Sequence, residues 1–329
     1  MIRVRRLVFD RFGPPAEVLR VEEASLPEPA EGEIRIRMER ASVNPADLNV
    51  IEGTYGIKPP LPCVPGNEGA GLVEALGSGV EGLAVGDRVV VPGLGTWASH
   101  LNVSAARCTR VDSTVDPAFA AMLTVNPPTA WGMLHRFTAL QPGEWVVQNA
   151  ATSAVGRCVI QIARALGWKT LNLVRRPEAA AELLALGADA VEVEDPSLPK
   201  RVASITAGAP IRLGFNAVGG DSAATVAKCL GSGAHLVTYG AMSRQPLKLP
   251  NGLLIFNDLT CHGFWMSRVY QQMGAEEKAA MFARLVELHQ AGKLSIPVDA
   301  VFSLARWAEA LERAAAPGRP GKVLFDPQA

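Results

Sequence analysis

Residues 144–174 constrain the fold more than any other stretch of this chain. Positions 144–148 carry Trp145, Val146 and Val147 between two polar residues and suit a short buried strand, and a turn of small and polar residues follows at 149–156. From 157 to 166 the apolar residues return at helical spacing, and Gly167 stops them. A second strand-like run at 170–174 ends on two consecutive arginines, Arg175 and Arg176. Strand, turn, helix and strand within about thirty residues make one βαβ unit, and such units build a parallel sheet.

The turn is a degenerate G-x-G-x-x-G in which Ala151 and Ser153 replace the first two glycines and Gly156 keeps the third. Gly156 lets helix and strand pack closely. Ala151 and Ser153 stay small enough for backbone N–H groups to approach a pyrophosphate at the helix start. Arg175 and Arg176 stand 19 and 20 residues beyond Gly156, where a dinucleotide fold reads the adenosine ribose. An NAD-selective site places an acid there, whereas a guanidinium grips a 2′-phosphate. Two arginines on a loop are most often only a solvated face, but inside a βαβ unit they point to NADPH.

The rest of the composition excludes more than it selects. A length of 329 residues and 48% hydrophobic content can supply two domains with cores of their own. Basic and acidic residues balance at 32 each, so no net field draws the chain to nucleic acid or to an anionic membrane. The first nine residues are basic and alternating, which suits a strand and lacks the apolar core of a secretory signal. No segment has the run of about eighteen apolar residues that a membrane span needs, and the expected location is cytoplasmic. Five scattered cysteines argue against a disulfide framework or a CxxC metal lobe, and reduced, mostly buried thiols are expected.

By texture the chain divides in two. Residues 1–117 carry short alternating runs punctuated by glycine and proline, as at 33–37, 70–74 and 87–91. In 118–266 strands and helices alternate, and six runs, at 144–148, 170–174, 190–193, 211–215, 235–238 and 259–263, fit one doubly wound sheet. An amphipathic helix at 275–290 leads into a tail, 267–329, that is expected to rejoin the β-rich front through strands at 298–302 and 322–325 with a helix at 304–315 between them.

This order of β-rich front, nucleotide domain and returning tail resembles the medium-chain dehydrogenase/reductase superfamily over nearly the whole chain. Several strings are similar to its 2-enoyl thioester reductases of the mitochondrial fatty-acid synthesis type: VNPADLN at 43–49, EGTYG at 52–56, PGNEG at 65–69, GLGTW at 93–97, TVNPPTA at 124–130, TYGAMSRQP at 238–246, LLIF at 253–256 and GFW at 263–265. The resemblance implies an α/β fold, with a GroES-like β-rich catalytic domain (1–117 and 267–329) and a Rossmann domain (118–266). Zinc members of the fold hold their metal by a cysteine in the early loop and a histidine in a Gly-His-Glu string; Asn44 and Asn67 stand near those positions here. An amide oxygen is a poor substitute for thiolate or imidazole, so no metal site is expected.

By the same resemblance Tyr55 is the candidate proton donor, a phenol that stays protonated at neutral pH. Asn126 is implied near the nicotinamide ribose, Thr152, Ser153, Ala154 and Val155 along the pyrophosphate, and Arg175 and Arg176 at the 2′-phosphate. Tyr239, Gly240, Ala241 and Met242, with Phe264, Trp265 and Met266, are implied at the adenine and nicotinamide ends, and Lys322 reaches the cofactor from the tail. Each residue also has a plainer reading: Asn126 as a turn former before Pro127, Lys322 as a surface charge, Phe264 and Trp265 as core. The implied reaction reduces the double bond of an acyl thioester. One alternative is a zinc-free quinone or small-enone reductase on the same NADPH site, and another is a nucleotide-binding protein without turnover. A homodimer is expected, paired through the edge strand near 259–263.

Overall fold

The computed structural model describes residues 1–329, which gather into two compact units, Met1–Val125 with Ser295–Ala329, and Asn126–Leu294. Both junctions lie beyond the positions expected from sequence, 117/118 and 266/267. The amphipathic helix Ala275–Gln290 explains the second shift. It buries Met281, Phe282, Leu285 and Leu288 and packs on the helix Asn126–Arg136, so it stays with the nucleotide unit.

In the second unit six strands lie in one parallel sheet. In chain order they are Trp145–Gln148, Lys169–Val174, Ala190–Val193, Ile211–Asn216, His235–Thr238 and Thr260–Gly263. Numbered in that order they stand 3-2-1-4-5-6 across the sheet, the doubly wound arrangement. The central strands are buried on both faces, as a parallel sheet requires. Four amides sit fully buried there, Gln148, Asn149, Asn172 and Asn216, and they bond to one another or to strand carbonyls.

The first unit is mainly antiparallel. Glu33–Ser42 pairs with Glu68–Leu76 and with His100–Ser104, and Glu68–Leu76 pairs in turn with Arg88–Pro92. The tail returns as Val298–Ser303 and Lys322–Asp326, which pair with each other in parallel, and the second of them pairs antiparallel with Glu33–Ser42. Trp97 and Phe325 meet edge to face at 5.1 Å in the middle of this core, and the Trp97 indole N–H donates to Ser42 O. The cysteines are free, with Cys63, Cys158 and Cys229 buried and Cys261 exposed.

Candidate active site

In the second unit the turn at 149–156 is built around one close contact. A Cβ on Gly156 would stand 2.6 Å from Ala151 O and 2.8 Å from Ala150 O, which is why this glycine alone survives of the three. Ala150 itself takes a positive φ of 50°. Ser153 caps the helix Ala154–Ala165, its Oγ accepting from Gly156 N–H at 3.1 Å. The N–H groups of Ala154 and Val155 open that helix and have no acceptor within it, as at any helix start. Thr152 is exposed and anchors the turn through its carbonyl, which accepts from Arg157 Nε.

The carboxyl ends of the neighbouring strands are tied to this turn. Asn149 Nδ2 donates to Asn216 Oδ1 at 2.8 Å and to Ser222 Oγ at 2.9 Å, while Asn149 Oδ1 accepts from Ala217 N–H. Tyr239 N–H donates to Asn216 O and Met242 N–H to Ala217 O, which fixes the segment containing Gly240 and Ala241. Gly240 is needed there, since a Cβ would meet Ala217 O at 2.9 Å. Burial pushes the Tyr239 phenol up, with the nearby Ser153 hydroxyl pulling the other way, and no protein group completes a hydrogen bond to the Tyr239 hydroxyl. A buried donor of this kind calls for a ligand partner.

Arg175 and Arg176 are both exposed at the end of Lys169–Val174, but only Arg175 lines a cavity of about 300 Å³, with Glu194, Asp195, Asp221 and Thr225. A second cavity, of about 430 Å³, is lined by Thr238, Phe264, Trp265 and Arg268 among others. Asn126 starts the helix Asn126–Arg136 and is buried. Phe264 is buried against Gly132 of that helix, where an added Cβ would come within 2.7 Å of its ring. Met266 is buried at the start of Met266–Gln272, and the Trp265 ring carries the Arg268 guanidinium at 6.0 Å.

In the first unit Tyr55 follows the helix Pro45–Glu52, which ends on Gly53 in the left-handed conformation. Asn49 O then accepts from both Thr54 N–H (2.9 Å) and Tyr55 N–H (3.1 Å), so the loop is held by the helix end. The half-buried Tyr55 ring packs against the core around Phe9 and Trp97.

The same unit holds a polar cluster that the sequence only hinted at. Lys322 is buried, and its ammonium donates to Val43 O and to Asn44 Oδ1, each at 2.6 Å. Asn44 passes this on, with Nδ2 donating to Glu68 Oε1 at 2.8 Å and its backbone N–H donating to Asp47 Oδ2 at 2.7 Å. Asn67 donates to Asp47 Oδ1 from both N–H and Nδ2. Burial raises Asp47 to about 7 and lowers Lys322 to about 8; it also pushes Glu68 up, and the opposite charges pull each back. Asp47 and Glu68 were missed at the sequence level. The available signal was two acids inside otherwise small and apolar strings.

Zinc does not fit this cluster. The amides of Asn44 and Asn67 are engaged with protein partners, an ammonium already supplies the local positive charge, and no three His, Cys, Asp or Glu side chains gather as a ligand set. A nicotinamide dinucleotide does fit the second unit, by the open helix start and the unpartnered Tyr239 hydroxyl.

Two family models match the chain, the alcohol dehydrogenase GroES-like domain over residues 30–148 and the zinc-binding dehydrogenase over residues 154–285. The mitochondrial enoyl-[acyl-carrier-protein] reductase of Xenopus tropicalis is 38% identical over 96% of this chain and 93% of its own length. The chain belongs to the medium-chain dehydrogenase/reductase family. Among solved members, the Etr1p/NADP/crotonyl-CoA complex superposes with a TM-score of 0.90 at 28% identity, covering 99% of this chain and 100% of that one. The quinone oxidoreductase of Pseudomonas syringae pv. Tomato DC3000 does so with a TM-score of 0.89 at 27% identity, covering 98% and 100%. This medium-chain dehydrogenase/reductase is thus an oxidoreductase of the branch holding enoyl thioester reductases and quinone oxidoreductases. The cytoplasmic location expected from the sequence does not stand, because the relatives are named mitochondrial. No helix is long and apolar enough to cross a membrane.

Proposed function

We propose that the chain is an NADPH-dependent reductase of the carbon-carbon double bond of 2-enoyl thioesters. The observation that carries this reading is the near full-length match to a relative named enoyl-[acyl-carrier-protein] reductase, joined to a Tyr55 held in place by a capped helix end. NADPH, when bound, supplies the hydride for the β-carbon. The residues do the rest. The Ser153-capped helix start, with Thr152, Ala154 and Val155, binds the pyrophosphate, and the Tyr239 hydroxyl donates to the cofactor. The segment from Tyr239 through Gly240, Ala241 and Met242, with Asn126, Phe264, Trp265 and Met266, shapes the cofactor channel. Arg175 and Arg176 hold the 2′-phosphate, Arg175 foremost because it lines the cavity. Lys322 has a third N–H beyond its bonds to Val43 and Asn44, and by that donor it serves the cofactor. Tyr55 donates the proton that the α-carbon needs.

The test is NADPH oxidation with crotonyl-CoA, a longer 2-enoyl-CoA and a simple quinone, for wild type and Tyr55→Phe. Enoyl turnover that falls by about 100-fold or more in the variant supports the reading. Quinone turnover alone, indifferent to Tyr55, would move the chain to the quinone reductases, a reading favoured by the structural likeness to the Pseudomonas syringae protein. The chain also forms a homodimer in this proposal, through the exposed edge strand Thr260–Gly263, near which Ile255 and Phe256 stand 69% and 82% exposed. A monomeric mass at micromolar concentration would remove that part.

A further inference from the structure

Arg175 and Glu194 occupy equivalent places on neighbouring strands. Val174 and Val193 are partners in the parallel register, so the next residue on each strand, Arg175 and Glu194, emerges side by side at the carboxyl end of the sheet. The Glu194 N–H donates to Val174 O at 2.9 Å, which fixes that juxtaposition. Both residues line the cavity of about 300 Å³.

The cavity also carries Asp195 and Asp221, but each of these has a cation. Asp195 pairs with Arg201 at 2.9 Å, and Asp221 pairs with Lys248 at 3.2 Å. Glu194 has a hydroxyl instead: Ser222 Oγ donates to Glu194 Oε2 at 2.9 Å, and Ser222 Oγ accepts from Asn149 Nδ2. Glu194 is therefore the one acid of the three that makes no ion pair, it is the one beside the arginine, and the turn itself holds it in place. A carboxylate there repels a 2′-phosphate and accepts from ribose hydroxyls, the service that an acid performs in NAD-selective sites.

We propose that Glu194 is a specificity-determining residue that weakens the preference set by Arg175, so that the cavity admits both NADPH and NADH. The inference rests on the reading of this cavity as the 2′-phosphate site. Binding of each cofactor alone, followed by nicotinamide fluorescence, tests it without turnover. Glu194→Gln keeps an acceptor for Ser222 and removes the charge. It should tighten NADPH by roughly five-fold or more at low salt and leave NADH unchanged or weaker, with the gain shrinking as salt rises. Glu194→Ala serves as a second variant with the same expected direction for NADPH. Arg175→Ala separates the two levels of the argument. If it weakens NADPH selectively while neither Glu194 variant shifts the NADPH/NADH ratio, the role of Glu194 is overturned and the phosphate site stands. If Arg175→Ala weakens both cofactors equally, the cavity is not the phosphate site and both readings fall.

Discussion

Gly156 is the one position of the degenerate turn where any side chain meets main chain rather than a movable group. A Gly156→Ala variant sets a methyl 2.6 Å from Ala151 O, so helix and strand must separate. The expected cost is about 1–3 kcal/mol in denaturant unfolding together with weakened NADPH binding; a variant with unchanged midpoint and affinity would show the turn to be compliant. Lys322 is the counterpart in the first unit. Lys322→Met leaves Asp47 and Glu68 buried without the ammonium, and a loss of about 3–5 kcal/mol is expected by the same measurement. These residues were unequally legible. The close approach at Gly156 follows from strand-turn-helix spacing, which is local. The Asn44, Asp47, Glu68 and Lys322 cluster joins positions up to 278 apart, Lys322 and Asn44 being bonded directly, and no local pattern reports such a meeting. Asn44 and Asn67 were visible only as amides where a metal ligand would stand.

At the scale of elements, the helix Ala154–Ala165 shows what the pattern can and cannot give. Its apolar spacing marked a helix from 157, but the structure starts it three residues earlier, because Ser153 caps it through the Gly156 N–H. Ser153→Ala should cost about 1 kcal/mol in unfolding and weaken cofactor binding through a frayed helix start. Unchanged stability would mean that tertiary packing, with Cys158, Val159, Ile160 and Ile162 all buried, holds the helix start unaided. The helix Ala275–Gln290 is legible as amphipathic, but its sequence does not say which unit it joins. Its periodicity announces a buried face; only the partner, Asn126–Arg136, decides which core that face joins.

At the scale of the whole molecule, the alternation of strands and helices gave the doubly wound sheet, since parallel neighbours need crossover connections and a helix stands between every two consecutive strands of that sheet. The β-rich front was legible as strands but not as a network of buried charge, and that charge makes stability respond to pH. Asp47 titrates at about 7 in the folded chain, above its ordinary 3.8, because burial outweighs the donors and Lys322 around it. Between those values the folded state keeps a proton that the unfolded state has released. The contribution of Asp47 is therefore fully present below about pH 4 and is lost as pH rises towards about 7. Lys322, lowered to about 8, changes its proton binding mainly above that window. Asp47→Asn removes the titrating group together with the donors' preference for its anion, so the slope reports the net titration of Asp47 in its hydrogen-bonded setting. Denaturant unfolding at pH 5, 6 and 7.5 should show the stability gap between wild type and variant shrinking with rising pH, by up to a few kcal/mol. A gap that widens instead would mean that the donors and the ammonium hold Asp47 as an anion more strongly than burial opposes it.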